Sequence, residues 1–372
     1  MRVAFNALSV TNLSGRHVLV GHIRQVLKSP ALSDRHILLY HAGNRDLALT
    51  FRGELDLVEC PALTAGWHGR WWWETVKMPA LLRRQSVQTL FSPAGVTADR
   101  VELPQLVLAQ NPWCLVREAQ KGSSDHFKAA LQRAAYRKAQ RNAAVMFFNS
   151  NYMRRIYADN AGIEPRDWRL LPQGLDDETF VAGCDAKTFD ERRAEILVVS
   201  VMARHKAVED VISALALLRR NGIEASLILV GPWADEGYAR FIRARIDALE
   251  LGKQVFVVGK VSRADLHAHY ARARVFCLLS RCESFGIPAV EAQAFYTPCV
   301  VSDCGAPPEI AGPGGVVVPA GDVVAAANAL GTLLQDRAAW EERARAARVN
   351  AERFRWARCS RPLVNWIQQA AR

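Results

Sequence analysis

Short β-branched runs alternate with longer amphipathic stretches almost from end to end of this 372-residue chain, and that alternation restricts it to βαβ units and parallel sheets. Strand signals are plainest in the second half, at 196–201, 225–230, 254–258, 275–279, 299–302 and 316–318, with helices predicted over 208–220, 238–249 and 264–272. The first half repeats the plan, with strands near 2–8, 36–40, 89–91, 106–109, 145–148 and 169–171. No sequence repeat links the halves.

The length suits two cores. Between 172 and 191 (PQGLDDETFVAGCDAKTFDE) the apolar period lapses and Gly and acidic residues accumulate, so a hinge is expected there. The expected domains are 1–175 and 176–355, both doubly wound, followed by an amphipathic helix over 356–372 that packs back on the first domain. The N-terminus begins like a secretory signal, but Asn6, Asn12, Ser14 and Arg16 interrupt its apolar run, and it reads as a first strand. No apolar run has the length of a membrane-spanning helix, and a soluble or peripheral protein is expected. The eight cysteines form no C-x-x-C pair; they read as buried free thiols in a reducing cytoplasm. Lys and Arg exceed Asp and Glu by 48 to 37, which favours an anionic partner.

The run RCESFGIPAVEAQAF (281–295) directly follows the strand signal VFCLLS. Glu283 falls at the C-terminal end of that strand, where open α/β sheets bind ligands. Pro288 suits the first turn of a helix, because its missing N–H goes unpaired there in any case. The N–H groups of Phe285, Gly286 and Ile287 would surround that helix start, a site for phosphate or sugar oxygens. Glu291 lies within the first turns of the same helix. Taken alone, the spacing favours the plainer reading, a helix-start charge at Glu283 and a solvated Glu291. Lys206, in VVSVMARHKAVEDVI (198–212), stands before another predicted helix, where a cation and N–H groups together suit a diphosphate. Ser14 and Gly15 open a helix after the first strand, as a phosphate turn or a simple N-cap.

The 281–295 run resembles the Glu-x7-Glu signature of the family 4 retaining glycosyltransferases of the GT-B fold. Further matching runs are LLPQGLD (170–176), VVSVMARHKAVEDVI, LILVG (227–231), VFVVGKVSRADLHAHYARARVF (255–276) and VVSDCGAPPEI (300–310). The resemblance implies two Rossmann-like domains, the first for the acceptor and the second for a nucleotide-sugar. It assigns Glu291 to the ribose hydroxyls and Glu283 to the donor sugar, and it adds Val261 to the donor site. Where the family has an Arg five residues before Lys206 this chain has Val201, which leaves Arg204 or Arg16 to contribute beside Lys206; His205 is the histidine placed to touch a phosphate. Where many members carry a sugar-facing His, this chain has Asn111, with Gln110 beside it. An amide can hydrogen-bond a hydroxyl but cannot titrate, so no general base is assigned there.

With no Asp-x-Asp motif, no metal and no cofactor are expected, and Lys206 and backbone amides would meet the leaving group's charge. The expected reaction is transfer of a hexose from a GDP- or UDP-sugar, GDP-mannose favoured, to a lipid-linked or surface glycan in bacterial polysaccharide biosynthesis. The resemblance implies retention of configuration. The alternatives are a silent nucleotide-sugar-binding scaffold, an epimerase, or an inverting transferase.

Two basic stretches remain. In 69–84, Arg70, Lys77 and Arg84 recur every seven residues and are expected on one helix face, with Trp72, Trp73 and Val76 off it. In 126–142, Arg133, Arg137 and Arg141 form an i, i+4 row. Cationic rows near Trp suit an anionic membrane surface; the alternative is a solvated face with its Trp residues in the core. Nucleic acid is not expected as a partner, because no reader motif accompanies the charge.

Overall fold

In a computed structural model the described residues are 1–29, 35–120, 122–185 and 187–372, and the chain divides into two compact units. The first comprises Met1–Gly174 and Trp356–Arg372, the second Leu175–Arg355.

The first unit is built on strands β1 (Val3–Asn6), β2 (Ile37–Tyr40), β3 (Asp56–Glu59), β4 (Thr89–Ser92), β5 (Gln105–Ala109), β6 (Val145–Phe148) and β7 (Trp168–Leu170). They form one parallel sheet in the order β3-β2-β1-β4-β5-β6-β7. Strands β5 and β6 are buried along their whole length, as expected when helices cover both faces of a parallel sheet. Strand β3 has no counterpart in the expected elements. As an edge strand of sequence DLVE it is only half-buried, so it needs no apolar run.

The second unit repeats the plan with β8 (Arg193–Val199), β9 (Ser226–Val230), β10 (Val255–Gly259), β11 (Ala273–Leu278), β12 (Cys299–Ser302) and β13 (Gly315–Val318). Their order is β10-β9-β8-β11-β12-β13, again all parallel. Both sheets are thus doubly wound, with switch points at β1/β4 and β8/β11. The helix Val208–Arg220 turns Val208, Val211, Ile212, Leu215 and Leu218 into the core over Ile196, Leu227 and Val275.

The boundary between the units, at Gly174 and Leu175, falls within 172–191, a stretch that also holds the helix Asp177–Ala182. Two expectations need correction. The basic stretch 69–84 is two helices, Trp67–Val76 and Met78–Arg84. Pro79, in the first turn of the second helix, has no N–H to donate to the carbonyl of Thr75, and its ring displaces that carbonyl. Arg70 and Arg84 therefore lie on different helices, with Lys77 at the junction between them, and not on one continuous helix. Nor are all the cysteines buried, since Cys184 is exposed and Cys282 and Cys304 are partly so.

After β13 and its helices the chain returns to the first unit. The helix Arg361–Ala370 buries Leu363 and Ile367 against Val18, Leu19 and Ile23 of the helix Leu13–Leu27 and the sheet beneath. The Trp356 indole fills the space beside two glycines. A Cβ on Gly21 would lie 2.1 Å from its ring, and one on Gly174 2.5 Å. Nearby, Nδ1 of His22 is 2.8 Å from the Ser360 hydroxyl. Burial pushes the His22 imidazole down to about 3, which keeps it neutral in the packed interior.

Candidate active site

Glu283 lies on the loop between β11 and the helix Ile287–Ala294. Its Oε2 pairs with Nζ of Lys206 at 2.5 Å, and each side chain is 15% exposed. Its Oε1 accepts from the N–H groups of Ser284 and Phe285 at 3.0 and 3.3 Å. Burial by itself would raise the acid's pKa; the Lys206 ammonium and these donors outweigh it and hold the carboxyl below the usual glutamate range. The next loop clamps the backbone. Ala306 donates to the Glu283 carbonyl at 3.0 Å, and any Cβ on Gly305 would stand 2.3 Å from that oxygen.

Lys206 ends the turn Arg204–Lys206, just before the helix Val208–Arg220. Ala207 between them has φ 50°, a left-handed conformation uncommon for a residue with a Cβ. The helix N-terminus behind Lys206 is already engaged in part, because the Val208 N–H donates to the Tyr238 hydroxyl at 3.1 Å. Arg204 is exposed and lies over the rings of Tyr238 and Phe241, at 5.4 and 5.8 Å. His205 is exposed, and Val201, at the position of the family's Arg, is exposed as well.

Helix Ile287–Ala294 starts as expected, with Pro288 in its first turn and Gly286 at its N-cap. The φ of Gly286 is 92°, and there a side chain would be strained. Phe285 is buried against Phe354, and its N–H is spent on Glu283. Glu291 is half-buried, and its Oε2 accepts from the Tyr270 hydroxyl at 2.8 Å. Burial first, then the facing carboxylate, holds the Tyr270 phenol protonated, well above its ordinary range. Val261 is half-buried in the turn between β10 and the helix Arg263–Arg272.

Two residues at this site went unnoticed in the sequence. Tyr270 is one, and it carries Glu291. Arg281 is the other: its N–H donates to the His205 carbonyl at 2.7 Å, tying the Glu283 loop to the Lys206 turn. Its guanidinium meets Asp210 at 2.8 Å and Glu209 at 3.7 Å. The acid pair Glu209-Asp210 in the first turn of a helix gave no signal of this partner, since acids suit a helix N-terminus in any case.

Lys206, Glu283, Glu291, Arg204 and Val261 thus belong to the second unit, on segments that follow its strands. Gly15 and Asn111 belong to the first unit. The Gly15 N–H donates to the N-cap Asn12 at 2.7 Å, which makes the turn an N-cap. Arg16 pairs with Asp46 and also donates to the Gly43 carbonyl. Asn111 follows β5, is exposed, and accepts from the Trp113 N–H at 3.0 Å, while the Gln110 amide donates to the Pro93 carbonyl. A cavity of about 710 Å³ lined by Arg193, Glu195, Ser226 and Arg272 includes none of the expected site residues. Among the described residues no group of three or more His, Cys, Asp or Glu side chains is placed to hold a metal.

This arrangement of two doubly wound sheets is shared by solved structures. HepE of Anabaena in complex with UDP superposes with a TM-score of 0.75 over 99% of both chains, at 17% identity, a likeness that shows the fold. Residues 185–353 match the family Glycosyl transferases group 1. The chain has the GT-B fold and resembles the family 4 glycosyltransferases. Over 221 residues it is 30% identical to the GDP-mannose-dependent alpha-(1-6)-phosphatidylinositol monomannoside mannosyltransferase of Mycolicibacterium smegmatis, covering 55% of this chain and 57% of that one. Over 283 residues it is 29% identical to the D-inositol 3-phosphate glycosyltransferase of Kineococcus radiotolerans, covering 70% and 65%. In both cases the match spans less than two thirds of the relative's length.

Proposed function

We propose that this GT-B protein is a nucleotide-sugar-dependent glycosyltransferase that moves a hexose to a glycan or glycolipid acceptor without a metal and with retention of configuration. The observation that carries the reading is the Lys206–Glu283 pair, set beside the Glu291–Tyr270 pair in the unit that matches the family. The second unit takes the donor and the first the acceptor. Glu291 accepts from the ribose hydroxyls. Lys206 neutralises the diphosphate as it leaves, and Glu283 orients the sugar hydroxyls and holds Lys206 extended. The positive charge that develops on the sugar ring is met by the departing phosphate, whose oxygen also takes the acceptor's proton on the same face.

Mannose from GDP-mannose is the favoured donor, because the mycobacterial relative is named for that sugar nucleotide. The acceptor in this reading is a lipid-linked or surface glycan of bacterial polysaccharide biosynthesis, handled in the cytoplasm at the inner face of the cytoplasmic membrane. Incubation with labelled GDP-mannose or UDP-glucose and a polyprenyl-linked glycan tests it. The expected result is label on the acceptor with the α-configuration kept; release of free sugar alone, or an altered sugar nucleotide, contradicts it.

The exposed Val201, where the family has an Arg, favours a second reading, a silent nucleotide-sugar binder. That protein would bind the donor and transfer to no acceptor.

A further inference from the structure

The Trp67–Val76 helix is built inside out relative to an ordinary surface helix. Trp73 enters the core with Ala4, Leu39 and Met78, and Glu74 accepts from the Asn6 amide at 2.7 Å. What faces outward is aromatic: Trp67 is 52% exposed, Trp71 60% and Trp72 44%, with Val76 beside them. Trp67 and Trp71, like Trp72 and Val76, are i, i+4 pairs and form one apolar strip. Leaving three indoles in water is unfavourable unless something covers them.

Within the two helices the exposed charge has one sign. Lys77 is 5.9 Å over the Trp72 ring, Arg83 and Arg84 on the next helix are exposed, and the lone acid of 67–84 is the inward-facing Glu74. The other basic stretch lies on the same side of the sheet. Phe91 pairs with Leu106 and Ser92 with Val107, so Leu90 and Val107 project from one face. Leu90 packs under the two Trp67–Arg84 helices and Val107 under the helix Gly122–Asn142. That third helix exposes Phe127 and Leu131, again i, i+4, beside Lys128. The helices Leu13–Leu27 and Arg361–Ala370 occupy the opposite face.

We propose that this face of the first unit docks on an anionic lipid bilayer. Trp67, Trp71 and Trp72 sit at the boundary between headgroups and acyl chains, and Lys77, Arg83 and Arg84 meet the lipid phosphates. Indoles favour that boundary because they are apolar with one donor, and basic side chains reach back from it to the phosphates. The surface gives the membrane-held acceptor of the proposed reaction a physical basis, yet it is tested with neither donor nor acceptor present. Its failure and the failure of the transferase reading are therefore distinguishable.

The test is co-sedimentation of the full chain with phosphatidylglycerol or phosphatidylcholine vesicles. The expected result is binding to phosphatidylglycerol that weakens with salt, and little binding to phosphatidylcholine. A Trp67→Ser/Trp71→Ser/Trp72→Ser variant should lose at least about tenfold in partitioning while keeping its circular dichroism. A Lys77→Gln/Arg83→Gln/Arg84→Gln variant should lose the preference for the anionic lipid. Equal binding to the two lipids, or a triple-serine variant that binds as the parent does, overturns the proposal. So does a dimer in solution that the same variant dissolves, for the strip would then belong to a second copy of the chain.

Discussion

The ammonium of Lys206 lies 2.5 Å from Oε2 of Glu283, across 77 residues of sequence and largely out of water. Removing the cation alone strands a desolvated carboxylate. Lys206→Met should destabilise the fold by about 2 kcal/mol at pH 7, below the range for fully buried pairs because both groups keep some contact with solvent. Urea titration measures it. Glu283→Gln keeps the shape and the amide contacts, so it should cost less stability while lowering turnover by about a hundredfold or more.

Glu291 is held by the buried Tyr270 hydroxyl. Glu291→Ala should weaken nucleoside diphosphate binding by about 2 to 3 kcal/mol, the scale of a hydrogen bond to a charged group. Tyr270→Phe should weaken binding of the ribonucleotide more than that of its 2′,3′-dideoxy analogue, because its effect passes through the ribose contact. Calorimetry with both ligands reads the difference. An equal loss for both would make Tyr270 a packing residue only.

Trp356 occupies the space left by Gly21 and Gly174. Trp356→Ala should cost about 3 to 5 kcal/mol, the usual range for emptying a buried aromatic site. Gly21→Ala should destabilise strongly beside Trp356 and much less beside Trp356→Ala, since the added methyl then has room. Denaturant midpoints of the double-mutant cycle measure that coupling.

His22 fixes the sign of one pH dependence. Burial lowers its pKa to about 3 from 6.5, so the folded state disfavours the proton that the unfolded chain accepts. Its contribution is full above pH 6.5 and is lost as the pH falls toward 3, by up to roughly 5 kcal/mol. His22→Gln should flatten that part of the stability profile. A slope unchanged in the variant would assign the loss to other groups.

The sequence was most legible where one strand or helix carries the signal by itself. The helix predicted over 208–220 has those bounds in the structure, and every strand predicted in the second half is present, because each carries an apolar run, even the edge strand β10 with its exposed Phe256, Val257 and Val258. Legibility failed where position in the fold decides. Strand β3 is half-exposed because it is at an edge, and the heptad of cations at 70, 77 and 84 ignored what Pro79 does to a helix. At the candidate site, motif residues were readable, but their partners were not. Tyr270 is 21 residues from Glu291 and Arg281 is 71 from Asp210, and only the sheet brings them together. Clustered Trp and basic residues marked 69–84, but which indoles face outward depends on how the helix Trp67–Val76 lies on its sheet, with Trp73 inward and Trp67, Trp71 and Trp72 outward.

The most direct test of the central claim is calorimetric titration of the purified chain with GDP and with UDP, each with and without EDTA. The account predicts micromolar binding of one nucleotide, unchanged by the chelator and weakened in Glu291→Ala. No binding of either nucleotide, or binding abolished by EDTA, would contradict it.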